Sequence, residues 1–385
     1  MKMIFFELKK YVLKPSVLAF LALFAVLNFI KFFEIYYYFG GGRWEVTGTD
    51  SISAGFEKLY PFYGGRITEE KINGLKAELA LAQQKLEERG TGDTVYDDCY
   101  TGYPYGDVEL FKNALISGYE YAILYSGYAE QLADAADENM AFFSGINDYE
   151  VRKNTLISHI FKGRYVDMYV RPDGWTALFD YKFSAILVML MIVLTFSPIF
   201  SGERAGGFDK LIIASGKRRS AVRSKLLSAG IITFALTLIF FLLDMLYVGI
   251  IHGLDCFEAP VYVIKAYMNC PFTITLGGAL LLSFLGRLLA MLFFSALVVF
   301  ISSFGKNISL SLFLSIASGA LLIAASDILP LQFDILGLAY SSHFWEKVSV
   351  VNVCGLPVFS AVMAAVIGFL LILTLNVLTA RRALK

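Results

Sequence analysis

The chain has 385 residues, of which 57% are hydrophobic and only 17% charged, and its mean hydropathy is +0.62. Ordinary soluble domains carry about 25% charged residues, so the composition excludes a soluble globular protein and predicts a polytopic membrane protein. Formal net charge is zero, yet residues 34–182 hold 24 acidic against 14 basic side chains. The excess of base therefore falls in short segments elsewhere, and the absence of any large basic face excludes nucleic acid as a partner.

Residues 1–15 are expected to form an amphipathic interfacial helix. Ile4, Phe5, Leu8, Tyr11 and Val12 share one stripe, with Lys2, Lys9 and Lys10 off it. The basic start imitates a secretory signal, but aromatic residues and Lys31 stand where a small-x-small cleavage site belongs. Residues 16–35 are accordingly read as a retained first span, with Tyr36, Tyr37 and Tyr38 as an interfacial aromatic belt. Because this span leaves from a basic side, the polar region 36–182 is placed outside. Its apolar periodicity predicts helices. The first covers 68–89, with Ile72, Leu75, Leu79, Ala82 and Leu86 on one face and Gly90 as its stop. The second covers 107–137, with Asp107 as N-cap, and the third 148–162. Trp175, Phe179 and Tyr181 are expected to form a second aromatic belt.

Span two is predicted at 183–200, and a basic loop at 201–225 follows. Residues 226–385 hold spans three to six, with short loops and outer half-helices at 331–357. The predicted fold class is an all-α polytopic membrane protein. It has six transmembrane helices, both termini cytosolic and a mainly helical extracellular insertion, and it lies in the cell membrane as a multi-pass protein of the bacterial plasma-membrane type. This topology places every basic segment in the cytosol, as the positive-inside rule requires.

The basic loop carries Arg204, Lys210, Lys217, Arg218, Arg219, Arg223 and Lys225 against only Glu203 and Asp209. One reading is a topology marker resting on anionic lipid. The other is a docking element, since Phe208, Leu211, Ile212 and Ile213 are costly to leave in water without a partner. A phosphate-binding loop, G-x-x-x-x-G-K-[ST], is missing: Gly216-Lys217-Arg218 lacks both the upstream Gly and the following Ser or Thr. The chain is therefore not expected to be an enzyme or to hold a cofactor of its own.

A charge inside a span costs at least about 2.5–3.5 kcal/mol at mid-bilayer, and two such charges stand out. Asp244 lies 19 residues after Lys225, and Arg287 lies 19 residues before Lys306 on the antiparallel next span. At 1.5 Å per residue both sit roughly 28 Å up, so they are expected to meet, either as a structural ion pair or as part of a polar substrate path. Cys99, Cys256, Cys270 and Cys354 all fall outside, where disulfides persist; Cys256 and Cys270 share one loop and are the candidate pair. His159, His252 and His343 form no compact ligand pattern, and no metal is expected. The tyrosines of the outer region, Tyr119, Tyr121, Tyr125 and Tyr128 among them, suit either a packed interface or a ligand face.

The order of these features resembles the type-2 ABC export permease family. The features that carry the resemblance are the amphipathic N-terminal helix, six spans, and a loop reading Glu203, Gly206-Gly207, Leu211–Ile213, Arg218-Arg219 and Lys225-Leu226-Leu227. Many members have a proline before the basic turn, where this chain has Ala214-Ser215-Gly216. The resemblance leaves out 40–181, which looks like an insertion between spans one and two. It implies a permease subunit that couples partner ABC ATPase subunits to outward movement of an amphipathic, peptide-like or lipid-like substrate. ATP would be used only through the partner, and the chain would pair with a second copy or a related permease. Glu203, Gly206, Gly207, Phe208, Leu211, Arg218 and Arg219 are the implied docking residues. The alternative is a membrane sensor or mechanotransmission protein whose outer domain binds a ligand without transport.

Overall fold

The computed structural model describes residues 2–12, 14–33, 49–92, 94–328, 334–340 and 342–384; the Tyr36–Tyr38 belt lies outside the described residues. Helix α1 (Lys2–Val12) leads into α2 (Pro15–Phe33), which starts on a proline, whose missing N–H costs nothing in a first turn. Helices α3 (Thr49–Tyr63), α4 (Glu69–Arg89), α5 (Pro104–Glu109), α6 (Ser117–Phe143) and α7 (Asp148–Phe161) build a helical domain. A two-residue antiparallel pairing of β1 (Gly65–Arg66) with β2 (Met168–Tyr169) closes it.

Local chemistry sets these boundaries. The Thr68 side chain accepts the Lys71 N–H at the start of α4, and Gly90, at φ +73°, ends it. Asp107, expected as an N-cap, instead lies inside α5. Its carboxylate accepts the N–H groups of Tyr100 and Thr101 and so ties down the preceding loop. Between α5 and α6, Leu110–Ile116 winds as a π-helix, and the backbone switches partners across it. Leu110, Phe111, Leu115 and Tyr119 pack with α3 and α4, whereas Ala122, Tyr125, Ala129 and Ala133 pack toward the membrane helices.

Helix α8 (Pro172–Asp180) delivers the chain to α9 (Phe183–Phe196), which Pro198 breaks from α10 (Pro198–Ala205). A short α11 (Phe208–Ala214) precedes α12 (Arg218–Ile251). Helices α13 (Leu276–Phe304), α14 (Ile308–Ile328), α15 (Ser342–Trp345) and α16 (Ser360–Leu384) complete the set. Among the described residues, six segments are long and apolar enough to cross a membrane: α2, Pro172–Ala205, α12, α13, α14 and α16. The chain is a multi-pass membrane protein. Helix α9 is its central post, buried on nearly all sides, while α2, α14 and α16 keep most of their surface exposed. The bundle has a basic end, with α1, α11 and the C-terminal Arg381 and Arg382, and a domain end, where the helical domain sits.

Three expectations are corrected. Arg218, Arg219, Arg223 and Lys225 are not loop residues: no breaker lies between Gly216 and Leu226, so the third membrane helix starts at Arg218. The half-helix expected toward 356 is a hairpin, β3 (Val350–Val353) with β4 (Leu356–Phe359), because β-branched Val350, Val351 and Val353 favour extended backbone and Cys354-Gly355, both at positive φ, make the tight turn. Trp175, Phe179 and Tyr181 form no interfacial belt. All are at most 2% exposed: Trp175 packs on Phe257 and Phe179 on Tyr267 of the loop after α12, Phe179 also meets Trp345 of α15, and Tyr181 packs on Phe32 of α2.

The expected tyrosine stripe of α6 is an interface. Tyr121 donates to the Tyr262 carbonyl at 2.6 Å, Tyr125 to the Met268 carbonyl at 3.0 Å and Tyr128 to Asn269 Oδ1 at 2.8 Å. Arg164 adds a bond to the Cys270 carbonyl at 2.7 Å and stacks on Tyr262. The domain is thus clamped onto the loop between α12 and α13. On its other side Gly118 lets the Tyr169 ring lie directly on α6: a Cβ there would come within 2.2 Å of it. Gly118→Ala is expected to cost about 1–3 kcal/mol through overpacking, read as a lower midpoint in chemical denaturation of the purified protein. Gly127→Ala, facing open space on the same helix, is the control that leaves the midpoint unchanged or raises it.

Candidate functional site

At the basic end the chain makes two tight reversals. Gly207, at φ +69°, separates α10 from α11, and Gly216, also at φ +69°, separates α11 from α12; Gly206 ends α10. Left-handed backbone favours glycine because a Cβ would clash with the backbone. No residue of α11 is buried. Phe208 is 59%, Leu211 65% and Ile213 50% exposed, so a short helix offers three large apolar side chains outward. A groove of about 680 Å³ runs between α11 and α1, bounded by Phe6, Glu7, Phe208 and Leu211.

This exposed helix is braced from behind. Glu203, mostly buried, receives Lys10 of α1 at 2.8 Å and Lys225 of α12 on its other oxygen. Lys225 also donates to the Ile199 carbonyl at 3.2 Å and lies over the Phe200 ring. Burial holds the nearby Glu7 carboxyl above the usual carboxylate range, over the opposing pull of Lys10 and Lys225. Arg204 reaches the end of α13, donating to the Gly305 carbonyl at 3.0 Å and to the Ser303 carbonyl. A cation on the last carbonyls of a helix is favourable in both charge and hydrogen bonding. At the Pro198 break, Ser302 of α13 donates to the Ser197 carbonyl at 2.7 Å and accepts from Phe200 N–H at 3.1 Å; Ser311 of α14 reaches the same carbonyl at 2.7 Å. Backbone groups that a straight helix would pair internally are thereby satisfied by two neighbouring helices. Arg218 is half-buried beside Phe200 and Glu203, whereas Arg219 is exposed. Of the implied docking residues, Phe208 and Leu211 point outward, Gly206 and Gly207 turn the chain and Glu203 holds it; Arg218 and Arg219 open α12.

Toward the domain end, Asp244 and Arg287 meet inside the bundle. Arg287 Nη1 lies 2.8 Å from Asp244 Oδ2, and the two residues are 3% and 0% exposed respectively. The carboxylate is fully engaged: Asn28 of α2 donates to Oδ1 at 2.8 Å and Ser184 of α9 to Oδ2. Arg287 also donates to Ser184 Oγ at 3.0 Å and to the Tyr181 carbonyl at 3.4 Å. The Tyr181 hydroxyl closes the circuit on Asn28 Oδ1 at 2.9 Å. Four membrane helices thus converge on one salt bridge. The two charges are legible in the sequence and Tyr181 only as a belt aromatic, whereas Asn28 and Ser184 are not; the one available signal is Asn28, a lone amide in a largely apolar run.

The Cys256–Cys270 bridge is not formed, and all four cysteines carry free thiols. Cys270 is buried and donates to the Phe272 carbonyl, while Cys256 lies near Asp255 and Tyr60. Burial pushes both thiols up to about 11. Among the described residues no three His, Cys, Asp or Glu side chains gather as a metal site.

Two outcomes are expected. Asp244→Asn or Arg287→Gln alone leaves a buried charge unmatched, at a cost of about 3–5 kcal/mol, read as a large drop in melting temperature in detergent. The Asp244→Leu/Arg287→Leu double variant melts above either single one; single variants that melt like the parent refute the pair as a stabilising unit. At pH 8 a maleimide is expected to modify exposed Cys354 rapidly and Cys270, still protonated and buried, slowly or not at all. Denaturation without reductant then exposes four thiols by mass, whereas a count of two signals a disulfide.

No protein-family model, curated protein or solved structure matches the chain.

Proposed function

We propose that this chain is the membrane subunit of an ATP-driven export system, of the kind the type-2 ABC export permeases represent. On this reading the basic end faces the cytosol and the helical domain lies outside. Helix α11 is the surface on which a partner ATPase docks. The observation that carries the proposal is α11 itself: a short helix with Phe208, Leu211 and Ile213 outward, set on glycine reversals at the basic end of a six-span bundle.

The bracing behind α11 gives a push somewhere to go. Displacing α11 loads α10, and α10 is tied to α1 and α12 through Glu203, to α13 through Arg204 and to α13 and α14 through Ser197. Movement at the docking face therefore acts on four helices rather than on a free loop. Nucleotide chemistry belongs to the partner, since this chain has no phosphate-binding loop. The substrate on this proposal is amphipathic, and a second permease chain, identical or related, completes the path.

The test places a photo-crosslinking amino acid at Leu211 in native membranes. The expected product is a cytosolic chain whose sequence contains G-x-x-x-x-G-K-[ST]. Leu211→Glu and Phe208→Ala are expected to reduce co-purification of that chain at least tenfold while membrane insertion stays intact. Capture of no such ATPase, or unchanged co-purification in both variants, overturns the proposal.

A further inference from the structure

Helix α1 is a partition between two grooves. Phe6, Glu7 and Lys10 face the groove beside α11, whereas Phe5, Leu8 and Lys9 face a second groove on the opposite side. This second groove, about 300 Å³, lies between the α1–α2 elbow and helices α9 and α12. Its exposed wall is hydrocarbon throughout, with Leu18 of α2 facing Ala235 and Ile239 of α12. Along α12 it runs from Ile231 to Ile239, roughly 12 Å at 1.5 Å per residue. That is most of the depth of one hydrocarbon leaflet, which is about 15 Å. Apart from Lys9, the one polar side chain of the lining is Thr195, whose hydroxyl is buried, so the accessible wall offers water no hydrogen-bond partner.

The charge at its basic end identifies what fills it. Lys9 lines the groove, is exposed and forms no ion pair among the described residues. Lys14, also exposed, lies near the same elbow over the Tyr11 ring. The carboxylate of α1, Glu7, is turned to the other groove, where Lys10 and Lys225 oppose it. The lipid-facing side of α1 is therefore cationic without a built-in counter-charge. We propose that this groove holds one acyl chain of an anionic phospholipid, with the headgroup phosphate against Lys9. The chain fills the gap that α1 and α2 leave against α9 and α12, and the phosphate supplies the missing counter-charge. Because one wall is α1, the bound lipid also fixes where that helix lies at the membrane surface.

The test uses the full chain, purified in neutral detergent and offered equal amounts of phosphatidylglycerol and phosphatidylcholine with identical acyl chains. Lipid retained per chain is counted by native mass spectrometry. The expected result is one retained phosphatidylglycerol, preferred over phosphatidylcholine roughly fivefold, the worth of one lysine at an anionic surface. Lys9→Gln is expected to remove the preference while retention persists. Ala235→Phe fills the groove and removes the retained lipid at an unchanged melting temperature; if it misfolds, Leu18→Phe on the facing wall serves the same purpose. Equal retention of the two lipids by the parent chain overturns the proposal. So does a preference that survives Lys9→Gln, or a retained lipid undiminished in a folded groove-filled variant.

Discussion

Two opposite charges inside an apolar bundle are tolerable only when every donor and acceptor around them is used. Removing an ion from water costs several kcal/mol even after relaxation, and a pair recovers that cost only with good geometry and further hydrogen bonds. Asp244 and Arg287 meet the condition through Asn28, Ser184 and Tyr181. These partners come from α2, α9 and the link between α8 and α9, and the charges themselves from α12 and α13, so satisfying one salt bridge sets the relative height and rotation of four helices. Apolar packing alone discriminates poorly among such arrangements, because a hydrocarbon surface fits a neighbouring helix or a lipid tail about equally well. The polar cluster supplies the specificity.

A second polar junction at the basic end obeys the same logic with looser burial. Glu203 takes Lys10 and Lys225 on its two oxygens, and Arg204, one residue on, caps the end of α13. Pro198 makes this possible. It breaks α9 from α10 and releases backbone groups that Ser302 and Ser311 then take up. The two junctions sit at opposite ends of the bundle and share α9, α12 and α13, and in α9–α10 and α12 they are joined by continuous or nearly continuous helix.

Much of this architecture is legible in the sequence. Six apolar runs separated by basic or polar stretches define the membrane helices. The fixed rise of a helix puts Asp244 and Arg287 at one height. Other features were not legible, for physical reasons. The 350–359 run is short and apolar, and periodicity cannot separate a half-helix from a strand at that length. The burial of Trp175 and Phe179 depends on the loop after α12, and that of Tyr181 on Phe32 and Asn28 of α2; an aromatic cluster next to a span reads equally well as an interfacial belt. Lys225 looked like the last cation of a basic loop because its partner, Glu203, lies on a different helix, and only packing brings the two together. Asn28 and Ser184 carry no charge and so left little trace in the pattern.

The tyrosine clamp between the helical domain and the bundle has a consequence for which substitutions the protein can absorb. Tyr121, Tyr125 and Arg164 donate to the carbonyls of Tyr262, Met268 and Cys270. Those acceptors belong to the main chain and survive a change of side chain at the residues that offer them. In these three bonds the domain grips the course of the loop rather than its chemistry; the Asn269 amide and the Tyr262 ring are the loop side chains it also reads. The burden of specificity rests on one partner, the donors of α6 and the segment after α7. The loop beneath them can change residues such as Met268 without loosening the grip, provided its backbone keeps the same path.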